Sequence, residues 1–294
     1  DSVPSVPVTR KSEKPGAEES AREPVLAATS PASTPTGQTA RSALPEQKVR
    51  GFPQAPTAKL SSDDLSSAIK QSSRAIEMGQ LVEARDRLSE IYLGHRLTSE
   101  QRVRLADVLE PLMWELMRSR TVVSDGVLYE VEPGDTLIKL AKHFHVPPEF
   151  VMKLNDIQNA RLIRRGQTLR FVEGPFDVLV ELGDFELTVL QKGKFVRRYS
   201  IGTGKEETPT PPGIHTVKGK LIDPTFFGPG APPIPGRAPN NPLGSRWIDF
   251  GMGYGIHGTN EPDTICQRAS RGCIRMRNEH VEELYDMLTE GSRV

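Results

Sequence analysis

Cysteine is scarce in this chain. The 294 residues include only Cys266 and Cys273, which are too few for a disulfide framework, so the fold must rest on its own core. The sequence also lacks any run of about 18 apolar residues, which excludes a membrane-spanning helix within it. Neither charge is in excess, since 38 acidic residues balance 38 basic ones. We therefore expect no nucleic-acid partner.

Large apolar side chains are sparse in residues 1–58, where Pro, Ser, Thr and Ala dominate. Such a segment cannot bury enough apolar surface to offset the entropy of ordering it, so the sequence predicts a disordered linker. No basic and then apolar leader follows Asp1. We keep a signal peptide or a membrane tether upstream of residue 1 as an expectation.

In residues 59–122, apolar side chains recur every three or four positions, a pattern typical of helices. Gly79 and Gly94 divide the segment into three predicted helices, and Thr98 or Ser99 is the expected N-cap of the third. The pattern loosely resembles one tetratricopeptide helical pair, without a second copy. We interpret it as a structural or docking module, for which an envelope protein is a candidate partner.

Residues 127–173 carry a more specific pattern. An alternating strand and a turn, "YEVEPGDTL", lead through two short predicted helices to a closing strand, "QTLRFV". With its "KLND" and "RRGQTLRF", this segment resembles a LysM domain. The resemblance implies that two loops bind glycans containing N-acetylglucosamine, chiefly peptidoglycan or chitin. The residues of those loops are Gly134, Asp135, Thr136, Asn155, Asp156 and Ile157.

The same residue types also have a plainer explanation. Gly134 can supply the turn, and Asp135 or Thr136 can cap the helix that follows. The residues by themselves leave both interpretations open.

Strand patterns dominate residues 175–294. Three alternating runs are separated by "GD" and "KG", which are signals for tight hairpin turns. Further strands are predicted at "SRWIDF", "GYGIHG" and "GCIRM". The many prolines and glycines of residues 208–245 predict an ordered, turn-rich loop over a sheet. A C-terminal helix begins at Asn278, whose side chain is the expected cap.

His257 and Cys273 lie 16 positions apart, each beside a glycine in a strand-like run. A thiol attacks an acyl carbon only as a thiolate, and a neighbouring imidazole can produce the thiolate by accepting the proton. Two strands joined by a loop of this length can place both side chains together, so a catalytic pair is one interpretation. Backbone amides beside Cys273 would then be candidates for an oxyanion hole.

Four other interpretations of these residues remain open. Cys273 could be a small buried apolar residue, or it could form a disulfide with Cys266. The two cysteines and His257 could bind zinc, although a CxxC spacing is missing. Alternatively, His257 could be a core histidine whose hydrogen bonds are satisfied.

Four motifs, "TGKEETPTPPGIHTV", "NNPLGSRWIDF", "GYGIHGTNEPDTI" and "SRGCIRM", resemble the L,D-transpeptidase (YkuD-type) catalytic domain in their order. The resemblance covers residues 175–294. It implies that Cys273 is the nucleophile, that His257 is its general base and that the Gly258 carbonyl orients the imidazole. The implied substrate-binding residues are Ser270, Arg271, Gly272, Arg275 and Tyr254. Many members of the family have histidine at the position of Arg271. In this chain we expect Arg271 to stabilise the thiolate or to contact a substrate carboxylate.

The sequence thus predicts a multidomain α+β protein. A disordered N-terminal tail precedes a helical module, a small βααβ LysM domain and a mainly-β catalytic domain that ends in a helix. The implied activity transfers an acyl group from a peptidoglycan stem tetrapeptide, with release of D-alanine, to an amine, forming 3-3 cross-links or attaching protein. An L,D-carboxypeptidase and a non-catalytic LysM scaffold are the alternatives.

Three further expectations follow from the same resemblance. Peptidoglycan is the expected partner, in the periplasm or the extracytoplasmic cell wall. The chemistry requires neither a metal nor an organic cofactor. Residues 223–245 are expected to form a lid that keeps water from the acyl intermediate.

Overall fold

The structure, a computed structural model, describes Pro56 and residues 58–119, 126–228 and 230–294. Apart from Pro56 and Ala58, the linker predicted for residues 1–58 lies outside the described residues. The described part is a mixed α and β structure, which confirms the predicted fold class. None of the helices in it is long and apolar enough to cross a membrane.

The helical module consists of α1 (Ser62–Glu77), α2 (Leu81–Gly94) and α3 (Ser99–Arg118). Thr98 is the N-cap of α3, as the sequence predicts. Its hydroxyl accepts a hydrogen bond from the N–H of Gln101, and the Gln101 side chain accepts one from the N–H of Thr98. This reciprocal pair satisfies two backbone donors that a helix start otherwise leaves without partners.

The second module has the predicted order of elements: β1 (Gly126–Glu130), α4 (Leu137–His143), α5 (Pro148–Leu154) and β2 (Thr168–Val172). Its two strands pair antiparallel. The buried guanidinium of Arg170 in β2 donates to the carbonyls of Met117 and Leu116, at 3.2 and 3.4 Å. Because these carbonyls belong to the last turn of α3, where a cation is favourable, Arg170 fixes this module to the helical module.

The third module opens with an antiparallel sheet of β3 (Phe176–Glu181), β4 (Glu186–Gln191) and β5 (Lys194–Ser200). Helices α2 and α3 pack against β5. The rings of Tyr92 and Phe195 have centroids 4.5 Å apart, and the Ser89 hydroxyl accepts a hydrogen bond of 2.6 Å from the N–H of Phe195. Since every residue of β4 is buried, the helical module completes the core of this sheet.

Buried ion pairs reinforce that contact. Arg102 in α3 binds Glu181 through two hydrogen bonds, of 2.6 and 2.7 Å, and also donates to Glu186 at 3.2 Å. Glu186 accepts a further hydrogen bond of 2.9 Å from Arg198. An isolated buried charge is costly, so these ions depend on one another.

A second sheet follows, built from β7 (Gly219–Ile222), β8 (Arg246–Gly251), β9 (Tyr254–His257) and β11 (Ile274–Arg275). The strand order is β11-β9-β8-β7, and β9 and β11 run parallel. Two short strands, β6 (Thr203–Gly204) and β10 (Arg268–Ser270), pair with each other, and α6 (Asn278–Met287) ends the order of elements. Strands β8, β9 and β11 lie where the sequence predicts them. Strand β7 lies between two proline-rich stretches, in a region that we expected to be loop throughout.

The described residues of 223–245 form the expected turn-rich loop. Phe226 and Ile234 exchange two backbone hydrogen bonds of 2.9 Å. The buried amide of Asn241 donates to the Pro224 carbonyl at 2.8 Å. Such side-chain bonds order a segment whose prolines supply no backbone donor.

Helix α5 joins the second module to the third. Lys153 pairs with Asp286 of α6 at 2.5 Å. The rings of Phe150 in α5 and Phe176 in β3 lie edge to face, with centroids 5.0 Å apart. The second module is therefore held by side chains of α3, β3 and α6.

Candidate active site

Strands β9 and β11 bring His257 and Cys273 to one side of the sheet. In their parallel register, Arg275 lies opposite His257 and Ile274 lies opposite Ile256. Cys273 directly precedes Ile274, which places it beside Gly255. Cys273 lies one residue before β11, and when the alternation of side chains along that strand is extended by this residue, Cys273 falls on the face of the sheet that carries His257.

A backbone carbonyl orients the imidazole. Nδ1 of His257 lies 2.6 Å from the carbonyl oxygen of Gly258. Because a carbonyl only accepts, Nδ1 must carry the proton and donate it, which leaves the lone pair on Nε2. This contact involves the carbonyl to which the family resemblance assigns the orienting role, and that role stays a prediction.

The imidazole is buried beneath an indole. The Trp247 and His257 rings are stacked, with centroids 5.6 Å apart and an angle of 18° between their planes. Burial lowers the pKa of His257 from its ordinary 6.5 to about 4; the Gly258 hydrogen bond raises it and nearby Arg275 lowers it further. At neutral pH the ring is uncharged and can accept a proton.

The Cys273 thiol is half-buried and free. Burial raises its pKa, and this exceeds the lowering by a hydrogen bond from the Gly255 backbone and by the charge of Arg275. Cys273 and His257 therefore rest as a neutral pair rather than as thiolate and imidazolium. Cys266 is exposed and also free, so the disulfide interpretation is wrong for this structure.

Asn278 does not cap the last helix, which corrects the sequence prediction. The N-cap is Arg277, without a side-chain hydrogen bond. Asn278 instead accepts from the Ser245 N–H at 3.1 Å and donates to the Thr259 carbonyl at 3.0 Å. A Cβ on Gly258 would collide with the side-chain amide oxygen, Oδ1, of Asn278. Asn278 thus holds the loop that presents the Gly258 carbonyl to the histidine.

Ser270 and Gly272 shape the turn before the cysteine. The buried Ser270 hydroxyl donates to the Cys273 carbonyl at 2.6 Å and accepts from the Gly272 N–H at 3.2 Å. Gly272 has a φ of +102°, and a Cβ there would collide with the Tyr254 ring. The Gly272 N–H is thus bonded within the turn, and an oxyanion hole formed by the amides beside Cys273 stays a prediction.

The two arginines of the predicted substrate site have different surroundings. Arg275 donates to Glu261 at 2.8 Å and to the Thr264 hydroxyl at 3.1 Å, and its charge lowers the pKa of both His257 and Cys273. Arg271 is exposed to solvent. Arg275 is therefore held in place by side chains of the protein, whereas the exposed Arg271 is accessible to a ligand.

The first predicted glycan-binding loop is held by its own side chains. Gly134 has a φ of +90°, as the turn requires. Asp135 accepts hydrogen bonds from the Tyr129 hydroxyl and the Glu132 N–H, at 2.9 and 2.8 Å. Thr136 caps α4. These side chains have the turn and cap roles that the plainer explanation gives them.

The second predicted glycan-binding loop is similarly engaged. Both ends of the Asn155 amide bond the Arg170 backbone at 2.7 Å. Asp156 has a φ of +55° and pairs with Arg118 of α3 at 2.5 Å, and Ile157 packs against the core. A ligand in these loops would contact mainly backbone groups and the exposed Asp156 carboxylate.

A zinc site has no support from side-chain clustering. Across the described ranges, no group of three or more His, Cys, Asp or Glu side chains is arranged to hold a metal ion. Cys273 and His257 remain the candidate reactive side chains of the site.

Comparison with known proteins gives two domain matches. The L,D-transpeptidase catalytic domain family, YkuD, matches residues 175–294, and the LysM domain family matches residues 129–171. The chain is 31% identical to a putative L,D-transpeptidase YkuD of Bacillus licheniformis, over 57% of this chain and 97% of that protein. It is 39% identical to a putative L,D-transpeptidase YqjB of Bacillus subtilis, over 40% of this chain and 68% of that protein.

A solved L,D-transpeptidase from Mycobacterium smegmatis is also similar. The two share 21% sequence identity with a TM-score of 0.35, over 44% of this chain and 61% of that one. A LysM domain followed by a β-rich L,D-transpeptidase catalytic domain defines a class of cell-wall protein. This chain belongs to the L,D-transpeptidase family of the YkuD type, with the peptidoglycan role of that family.

Proposed function

We propose that the protein is a peptidoglycan L,D-transpeptidase in which Cys273 is the nucleophile and His257 the general base. The observation that carries this proposal is the 2.6 Å contact between His257 Nδ1 and the Gly258 carbonyl. It fixes the tautomer in which Nε2 is the basic nitrogen, on the face of the sheet where Cys273 emerges.

In the first half-reaction, Cys273 Sγ attacks the carbonyl of the third residue of a stem tetrapeptide. Nε2 of His257 accepts the thiol proton as the S–C bond forms, and the carbonyl becomes an oxyanion. The intermediate collapses when the bond to the terminal D-alanine breaks and the imidazolium returns its proton to the leaving amine. A thioester on Cys273 remains.

In the second half-reaction, an amine of an acceptor attacks the thioester. His257 takes a proton from this amine and passes it to the departing Cys273 sulfur, which restores the neutral pair. The product is an amide, as a 3-3 cross-link between stems or as a bond to a protein. The same steps with water would give an L,D-carboxypeptidase.

The neutral resting pair suits this order of events. Proton transfer from Cys273 to His257 is uphill before substrate binds, because burial disfavours both charged forms. Arg275 lies near enough to favour the thiolate, so attack and proton transfer occur together once the acyl carbon is in place. The loop of residues 223–245 serves as a lid that keeps water from the thioester.

The LysM domain would hold glycan near the catalytic pair. Such tethering raises the effective concentration of stem peptides, so its own affinity need not be high. The enzyme would act outside the cytoplasm, in the periplasm or cell wall, with peptidoglycan as its partner.

The test is incubation with a disaccharide-tetrapeptide, followed by intact-mass spectrometry, with Cys273→Ala as the control. A thioester adduct and a cross-linked dimer that are absent from the control would support transpeptidation. Released D-alanine without a dimer would identify a carboxypeptidase. Identical behaviour of both proteins under reducing conditions would leave the non-catalytic LysM scaffold as the function.

A further inference from the structure

A cavity of about 550 Å³ lies where the helical module, the LysM domain and the catalytic domain meet. Its walls come from α3, α5, β5 and α6. Small-molecule and peptide sites have volumes of this order. The catalytic pair does not line it, so the cavity is a separate feature of the molecule.

The floor of this cavity is apolar. It is formed by buried side chains from all three modules: Ala106, Met113, Met117, Phe150, Val196 and Met287. Three of them are methionines, whose flexible thioethers adapt to apolar groups of different shapes. At its edge lies Trp114, which is 46% exposed although it is a large aromatic residue. A ligand that fills the cavity would therefore present a large apolar group.

The rim carries an excess of negative charge. Two of its carboxylates are paired: Asp286 with Lys153 at 2.5 Å and Glu283 with Arg197 at 3.1 Å. The other two, Asp107 and Glu110, have no ion pair within the part of the chain that the structure describes.

Glu110 is the more buried of these two acids. Its carboxylate accepts a hydrogen bond from the Arg198 backbone at 3.1 Å, and burial raises its pKa. The charges of Arg197 and Arg198 already favour the Glu110 carboxylate, although neither arginine forms an ion pair with it in the described residues. A further cation beside Glu110 would offset more of the cost of its burial, and the exposed Asp107 adds a second negative charge at the same rim. The Arg118 guanidinium lies over the Trp114 ring, 5.6 Å from its centroid, so this ring already binds one cation, and a ligand cation would have to approach its other face.

We propose that this cavity binds a peptide segment of a partner protein, one that presents a large apolar side chain next to a lysine or arginine. The apolar group would lie on the methionine-lined floor, and the cation would pair with Asp107 and Glu110. A neutral glycan would bring no cation to this rim, where four carboxylates outnumber the two cations Lys153 and Arg197. The alanine methyl groups of a stem peptide would leave the floor unfilled. This inference goes beyond the proposed function, because it holds whether or not Cys273 catalyses transpeptidation.

The test is selection of a phage-displayed library of random short peptides on the whole protein. We expect enriched peptides that combine a basic residue with a large apolar neighbour. Their affinity, measured by fluorescence anisotropy, should fall about tenfold or more in an Asp107→Asn, Glu110→Gln double variant. Both substitutions keep the side-chain shape, and Glu115→Gln is the matched control, an exposed carboxylate of α3 outside the cavity. Trp114→Ala, tested separately, should also weaken binding.

Three outcomes would overturn the proposal. The first is a selection that enriches no peptide above the double variant. The second is enriched peptides without a basic residue, or with equal affinity for the double variant. The third is saturable binding of a disaccharide-tetrapeptide or a chitooligosaccharide that depends on Asp107 and Glu110, which would make the cavity a peptidoglycan subsite.

Discussion

Tyr92 in α2 donates a hydrogen bond of 2.5 Å to Glu186 in β4, across 94 positions of the chain. Burial, with the charge of Glu186 second, raises the pKa of Tyr92 well above its ordinary 10, so the hydroxyl keeps its proton at any working pH. Glu186 also accepts hydrogen bonds from the guanidinium groups of Arg102 and Arg198. The helical module is thus joined to the catalytic sheet by a buried polar network as well as by apolar packing.

This network should dominate the stability of the contact. We expect Arg102→Met to lower the free energy of unfolding by about 3–5 kcal/mol, because it leaves the half-buried Glu181 without its cation and the buried Glu186 with Arg198 alone. Tyr92→Phe, which removes one hydrogen bond to a charged group, should cost about 1.5–3 kcal/mol. Urea unfolding followed by circular dichroism measures both.

Lys192→Gln is the matched control for these variants. It breaks an exposed pair with Glu173, whose value is at most about 1 kcal/mol. Equal effects of Lys192→Gln and Arg102→Met would show that the buried network contributes no more than a surface ion pair.

The buried imidazole predicts an unusual pH profile. The base must be neutral to accept a proton, and burial puts the pKa of His257 at about 4, so the acid limb of kcat/KM should fall near that pH. An ordinary histidine would lose activity near pH 6.5. The measurement is kcat/KM against pH with a defined tetrapeptide donor.

Trp247→Ala supplies the comparison for that profile. Opening the stacked face to water should move the acid limb toward pH 6.5, whereas Trp247→Phe should keep it low. A wild-type limb already at pH 6.5, or a limb that Trp247→Ala does not move, would contradict this account of the pKa.

Asn278→Ala should reduce kcat by about tenfold to a hundredfold. The variant frees the loop that presents the Gly258 carbonyl, and small misplacements of a catalytic group have costs of this order. Arg277→Ala, at the true N-cap, is the control and should leave kcat unchanged.

Gly258→Ala provides a second approach to the same contact. Its Cβ would displace the Asn278 side chain, so we expect a similar loss of kcat. If Asn278→Ala lowered only the melting temperature and spared kcat, Asn278 would be a structural residue without a positioning role.

Arg271→Ala separates the two roles expected of this exposed arginine. Contact with a substrate carboxylate predicts a higher KM with little change in kcat, whereas stabilisation of the Cys273 thiolate predicts a lower kcat. Since the exposed side chain lies in solvent, we expect the KM effect. Steady-state kinetics would measure it, and unchanged values of both constants would exclude either role.

Much of the architecture is readable from local patterns. The hairpin turns, the βααβ order and the Thr98 cap depend on residues within a few positions of one another, where spacing and residue type carry the information. His257 and Cys273 stood out as candidates in a chain with two cysteines, and their predicted roles came from the family resemblance.

The features that sequence reasoning missed depend on distant residues. Asn278 at a helix start suggested a cap, and nothing near it in the chain indicates the Ser245 and Thr259 partners. The packing of Trp247 on His257 likewise requires the register of β8 and β9. The sequence does not distinguish Arg102 from the other charged residues, because its partner Glu181 lies 79 positions away.

The buried Arg170 guanidinium fixes the position of the LysM fold against the helical module. Its bonds to the last turn of α3, together with the Lys153 and Phe150 contacts, attach the LysM fold to the helical module and to the catalytic domain. On the proposed function, the protein itself would set the distance between the sugar bound by the LysM domain and the stem peptide attacked by Cys273. The enzyme would react only with stem peptides that lie at that distance from the bound sugar, on the same glycan strand or on a neighbouring one.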